Sequence, residues 1–196
     1  MPLILIEGHR ASGKTFLIEK FFEQNTHPNI EYYKFQFANW IDELEMRDQE
    51  TGPGVHYFSI ANVLTILELN SSLLKDKTLV FDRCIFSAYV WSIYRERLGH
   101  GRLLKELKLI LDNKLFQNIK VIYVNRDESI SIKKRNKDYF GNFEDSRAES
   151  EIFERVFSEF TPQVTNTARN NEFIRFTNKF DDDSQLQFNK LLTSLL

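Results

Sequence analysis

Residues Gly8-His9-Arg10-Ala11-Ser12-Gly13-Lys14-Thr15 fit the pattern G-x-x-x-x-G-K-[ST] without a gap. Each fixed position has a chemical task. Glycines let the backbone wrap around phosphate oxygens, the lysine bridges the β- and γ-phosphates, and the hydroxyl that follows ligates magnesium. Gly8, Arg10, Ala11, Ser12, Gly13, Lys14 and Thr15 are therefore the candidates for holding ATP, and Thr15 for holding Mg2+. The pattern also arises by chance, so its context decides. The apolar run LILIE at residues 3–7 precedes it, and FLIEKFFEQ follows, with Phe16, Leu17, Phe21 and Phe22 at helical spacing. A buried strand feeding a helix is what the loop requires, because the helix aims its free N–H groups and positive dipole end at the anion.

A second constellation is Asp82-Arg83, directly after the apolar run TLVF at residues 78–81. In open parallel sheets, ligands bind at the carboxyl ends of the strands. If this strand neighbours the one before the loop, Asp82 reaches magnesium and Arg83 can neutralise charge on a transferring phosphoryl group. Without that adjacency, the pair reads as a helix N-cap and a surface arginine. Asp42 and Glu43 are the candidate bases for an acceptor hydroxyl, against an ordinary reading as exposed helix-start carboxylates. Phe35, Phe37, Trp40, Tyr57 and Phe58 could line an acceptor pocket on which a base stacks, although each alone fits a core equally well.

The elements that must position these residues follow from hydrophobic pattern. Strands are predicted at residues 3–7, 31–37, 78–81, 119–124 and 172–176. Helices are predicted after the glycine loop, over 57–74, 85–97 and 102–116, from near Asp127, from about Ser146 to Ala168 with a disturbance at Pro162, and from about Ser184. Residues 136–145, polar and aromatic with Gly141, read as a loop. Strands alternating with helices imply a doubly wound α/β fold: five strands, mostly parallel, with helices on both faces.

Composition sets the outer limits. The 196 residues suit a single domain. The net charge of -2 argues against broad nucleic-acid affinity, though Lys133, Lys134, Arg135 and Lys137 gather locally, as at a solvated helix end. Eighteen Phe residues spread along the whole chain read as core filler. The one cysteine, Cys84, excludes an internal disulfide and a cysteine-built metal cluster, which fits a reducing compartment. No secretion signal or apolar run long enough for a membrane span is present, so a cytoplasmic location is expected.

Taken in order, several stretches resemble the thymidylate kinase and deoxynucleoside kinase superfamily of P-loop kinases. LILIEGHRASGKTFLIEKF is similar to its strand, E-G-x-x-x-x-G-K-[ST] loop and helix, and LVFDRCIFSAYVW to its D/E-R-x-x-x-S-A-Y segment. KVIYVNRDESISIKKR resembles its strand, acidic turn and basic lid, and ESEIFERVFSEF the helix after the lid. The resemblance implies one kinase domain over 1–196 with a lid at 133–147. It implies Lys14, Asp82, Arg83 and Arg135 as catalytic residues, Thr15 and Asp82 as magnesium ligands, and γ-phosphate transfer from ATP to a small nucleotide or nucleoside. Arg10 stands where thymidylate kinases carry an Asp, and FANWIDE replaces both their arginine-proline-glycine segment and the Glu-Pro of deoxynucleoside kinases. The donor half therefore matches better than the acceptor half. Alternatives are a modified base or end within DNA as acceptor, or a nucleotide-dependent switch without turnover. The chain is also compatible with a homodimer.

Overall fold

Strands with apolar side chains on both faces need cover on both sides, and that cover organises the fold. The structure, a computed structural model, describes residues 2–9, 11–24, 27–34, 72–94, 104–105, 107–109, 112, 118–127, 143–165 and 171–196. Its strands are β1 (Pro2–Glu7), β2 (Ile30–Lys34), β3 (Thr78–Asp82), β4 (Asn118–Arg126) and β5 (Glu172–Asn178). They form one sheet in the order β2-β3-β1-β4-β5, and every neighbouring pair is parallel. The longer helices among the described residues are α1 (Lys14–Gln24), α2 (Ile85–Tyr94), α3 (Phe143–Thr165) and α4 (Asp182–Leu195). Described residues between 104 and 112 are helical as well, within the span predicted for a helix.

The period of two along each strand sorts side chains to opposite faces. Leu3, Leu5, Phe81, Val121 and Tyr123 point into a core with Phe86 and Val90 of α2 and Phe153, Phe157 and Phe160 of α3. Ile4, Ile6, Val80, Ile122 and Val124 point the other way, onto Leu17, Ile18 and Phe21 of α1 and Phe188 and Leu192 of α4. This is the doubly wound α/β fold expected from the sequence. The Phe-rich composition also resolves as core. Phe86 sits edge-on to Phe160 and Phe173, with ring centroids 5.7 and 5.6 Å apart, an arrangement that adds about 1 kcal/mol per pair beyond area burial.

Some expectations need correction. Phe16 does not share the buried stripe of Leu17, Ile18 and Phe21; it lies off that face and is 58% exposed. The helix predicted over 57–74 does not reach Leu74, because residues 72–77 form turns. Leu74 nevertheless joins the core from its turn, and the preceding Asn70-Ser71-Ser72 favours turns over helix. The loop predicted over 136–145 gives way earlier, since α3 begins at Phe143. α3 passes through Pro162 and ends at Thr165, with the Thr161 hydroxyl donating to the Phe157 carbonyl at 2.6 Å. α4 starts two residues before Ser184, capped by Asp181, whose carboxylate accepts from the Ser184 N–H at 2.8 Å.

Among the described residues, no helix is long and apolar enough to cross a membrane. Arg10, Asp42, Glu43, the aromatics from Phe35 to Phe58, and residues 128–142 with Arg135 lie outside the described residues.

Candidate active site

The site begins where β1 ends. β1 is central, and its neighbours β3 and β4 are paired to it in register Ile6↔Asp82 and Ile6↔Ile122. The loop after β1 and the end of β3 are therefore side by side, the adjacency on which the Asp82 assignment depends. Gly8 is confined by close approach: a Cβ there would lie 2.4 Å from the Val124 carbonyl oxygen. At Gly13, φ is +80° and a Cβ would lie 2.4 Å from Asn178 Nδ2, so two independent constraints demand glycine. Ala11 takes φ +57°, a left-handed conformation uncommon for a residue with a Cβ. The Ser12 N–H reaches back to the His9 carbonyl at 3.3 Å, and the first helical bond, Leu17 N–H to the Gly13 carbonyl at 3.1 Å, opens α1.

Lys14 is buried at the head of that helix. The Thr15 hydroxyl donates to Asp82 Oδ2 at 2.6 Å, so both predicted magnesium ligands touch. Asp82 Oδ1 is buried without a hydrogen-bond partner among the described residues. Buried polar oxygens rarely stay unmatched unless a ligand completes them. A hydroxyl and a carboxylate with one oxygen to spare fit magnesium, which takes one or two protein oxygens and completes its shell with phosphates and water. Arg83 follows in a left-handed conformation, φ +68°, with its N–H held by the Ile6 carbonyl at 2.9 Å. A strained backbone at a strand end beside a glycine loop is the kind of distortion that persists where it serves a site.

No family model matches the chain, and no curated protein matches it significantly in sequence. Solved structures do. A thymidylate kinase from Candida albicans, described as revealing the origin of broad substrate specificity, superposes with a TM-score of 0.63 at 16% identity, covering 98% of this chain and 91% of that one. A thymidylate kinase from Ehrlichia chaffeensis gives a TM-score of 0.57 at 14% identity, covering 100% and 98%. The fold is that of the thymidylate kinases. At these identities the likeness shows the fold alone.

Within that kinase fold, charges crowd the end of β1. Burial pushes the Lys14 ammonium down to about 7, aided by the Arg83 charge and opposed by Asp82, Glu7 and Glu149. Burial pushes the Glu7 carboxyl up to about 7, against the opposing pull of its Ser87 hydrogen bond, Arg83 and Lys14. An acid whose folded value exceeds its unfolded one contributes stability below the unfolded value and loses it as pH rises through the folded value. Fold stability should therefore decline between pH 4.5 and about 7. The shift corresponds to about 3 kcal/mol at full ionisation. Denaturant midpoints of ligand-free wild type should fall across this window relative to Glu7→Gln; parallel curves would refute the assignment.

Several contributors escaped the sequence reading. Asn178, at the end of β5, donates through Nδ2 to the Ser12 carbonyl at 3.0 Å and accepts from the Phe180 N–H at 2.9 Å. Phe180, φ +58° and 47% exposed, lies against Gly13. Buried His9 meets Asn125 Oδ1 through Nε2 at 3.1 Å, tying the loop to the end of β4. Glu149, buried on α3, adds its charge to Lys14. The available signal was positional, since Asn125 and Asn178 are polar residues at the carboxyl ends of apolar strands.

Proposed function

We propose that the chain is an ATP-dependent phosphotransferase that moves the γ-phosphate to a nucleoside monophosphate or a deoxynucleoside. One observation carries the reading: the Thr15 hydroxyl lies 2.6 Å from Asp82 beside a buried Lys14, at the junction of β1 and β3. A glycine turn with an exposed lysine, the ordinary alternative, would show neither contact nor burial. The thymidylate kinase fold supports a nucleotide acceptor over a switch.

In this mechanism the backbone of residues 8–15 cradles the phosphates of ATP, and Lys14 bridges the β- and γ-phosphates. Thr15 and Asp82 would hold Mg2+, which when bound screens phosphate charge and polarises the transferring group. Arg83 neutralises charge that builds on the equatorial oxygens in transit, with Arg135 joining when the lid over residues 133–147 closes and excludes water. The acceptor enters between the Asp82-Arg83 strand end and the residues following β2. A cytoplasmic location belongs to the same reading.

Acceptor type is decided by a panel of deoxynucleosides, nucleoside monophosphates and end- or base-modified DNA, assayed with MgATP. A phosphate-bearing acceptor needs a cationic clamp, and Arg10→Ala should then raise its KM about tenfold or more, since desolvated arginine–phosphate contacts are charge-assisted. For a nucleoside, Arg10→Ala should matter little and loss of Asp42 or Glu43 should matter more. Turnover on polymeric DNA alone would defeat the small-molecule reading.

A further inference from the structure

Glu7 lies immediately before the phosphate loop, yet the mechanism above gives it no task. It is fully buried, and it accepts at Oε2 from both the Ser87 N–H, at 3.2 Å, and the Ser87 hydroxyl. Ser87 belongs to the first turn of α2, the helix that opens just after Asp82-Arg83. The other carboxylate oxygen, Oε1, is buried without a hydrogen-bond partner among the described residues. Arg83 and Lys14 both act electrostatically on Glu7, so its charge lies within range of both cations. These cations also oppose one another, since the Arg83 charge disfavours the charged form of Lys14.

The segment from Arg83 to Ser87 is thus fastened to β1 at two consecutive residues. Ile6 holds it through the Arg83 N–H at 2.9 Å, and Glu7 holds the start of α2 through Ser87. Arg83 itself sits in a left-handed backbone conformation, which needs outside support to persist. A buried carboxylate is costly, and an apolar residue at position 7 would continue β1 at less cost. The cost is offset if the carboxylate fixes a group that must be held to within a fraction of an ångström.

We propose that Glu7 and Ser87 form a buried strut that positions the Arg83 guanidinium against the transferring phosphoryl group. Glu7 is then a positioning residue, acting through Ser87 and Arg83. The inference rests on the phosphotransferase reading.

A double-mutant cycle tests it. Glu7→Gln keeps an oxygen for Ser87 but removes the charge, and Ser87→Ala removes the hydroxyl leg. Each should lower kcat at least tenfold with KM for MgATP within about threefold, because the interaction serves the transition state and not ground-state binding. In an Arg83→Ala background each should cost less than about twofold, since residues acting as one unit are not additive. Ser87→Thr, which restores the hydroxyl, should recover most of the rate. Equal losses with and without Arg83 would overturn the strut, as would wild-type kcat in both single variants while Arg83→Ala is impaired. Failure of the underlying reading looks different: wild type transfers phosphate to no acceptor, or Lys14→Ala and Arg83→Ala remain fully active.

Discussion

Lys14→Ala loses γ-phosphate transfer by a factor on the order of 10² to 10³ or more, corresponding to about 3 kcal/mol or more of transition-state stabilisation. The size of the effect follows from where the lysine sits. Its side chain is buried at the head of α1, with Asp82 and Glu7 near enough to favour its charge, and solvent supplies little screening. Negative charge on the transferring phosphoryl group and the β–γ bridge would then lose its main cation in a site that cannot recruit water as a substitute. The fold should survive, because the empty protein bears a desolvation cost at Lys14 that the alanine removes. Steady-state kcat/KM together with a thermal melt separates the two effects. A folded Lys14→Ala protein with near-wild-type turnover is incompatible with phosphotransfer at this loop.

Asp82→Asn produces the next largest loss, with a different signature. The asparagine keeps the shape of the carboxylate and can still accept from the Thr15 hydroxyl, now 2.6 Å from Oδ2. It cannot supply the negative charge that a hard divalent cation requires, and its NH2 group presents hydrogens where magnesium needs an oxygen. The apparent magnesium requirement should rise at least about tenfold and kcat/KM should fall on the order of 10²-fold. Binding of ATP without magnesium should hold or tighten, because one negative charge has left the phosphate site. Calorimetric titration with and without Mg2+ reads the two halves separately. Equal losses in both conditions would assign Asp82 to folding instead of metal binding.

The elements of this fold were legible because the strands are buried on both faces and hence nearly continuous in apolar residues. LILIE, TLVF, KVIYV and EFIRF each fall within observed strands, with ends displaced by one or two residues. Strand order was not legible, since it is set by crossovers over helices and leaves no local pattern. The sequence could say only that Asp82 would serve the loop if β3 neighboured β1, and the register Ile6↔Asp82 supplies that condition. The glycine loop after β1 was legible because close backbone approach demands glycine at fixed spacing. What stabilises the loop from outside was not. Asn178 is 166 residues away from Ser12, and Ser87 is 80 away from Glu7. Contacts that far apart in sequence impose residue types without a periodicity that a single chain reveals. The turn at Leu74 shows the reverse failure, in which a predicted helix end is a turn whose apolar residue still packs into the core.

The central claim is that the β1–β3 junction transfers the γ-phosphate of ATP to a nucleotide or nucleoside. The most direct measurement follows labelled γ-phosphate from ATP in the presence of magnesium, with thymidine monophosphate and deoxynucleosides as acceptors, for wild type and Lys14→Ala side by side. Label should appear on an acceptor phosphate with wild type, with little release to water, and both products should be lost with Lys14→Ala. Label appearing only as inorganic phosphate, at a rate indifferent to every acceptor, would contradict it.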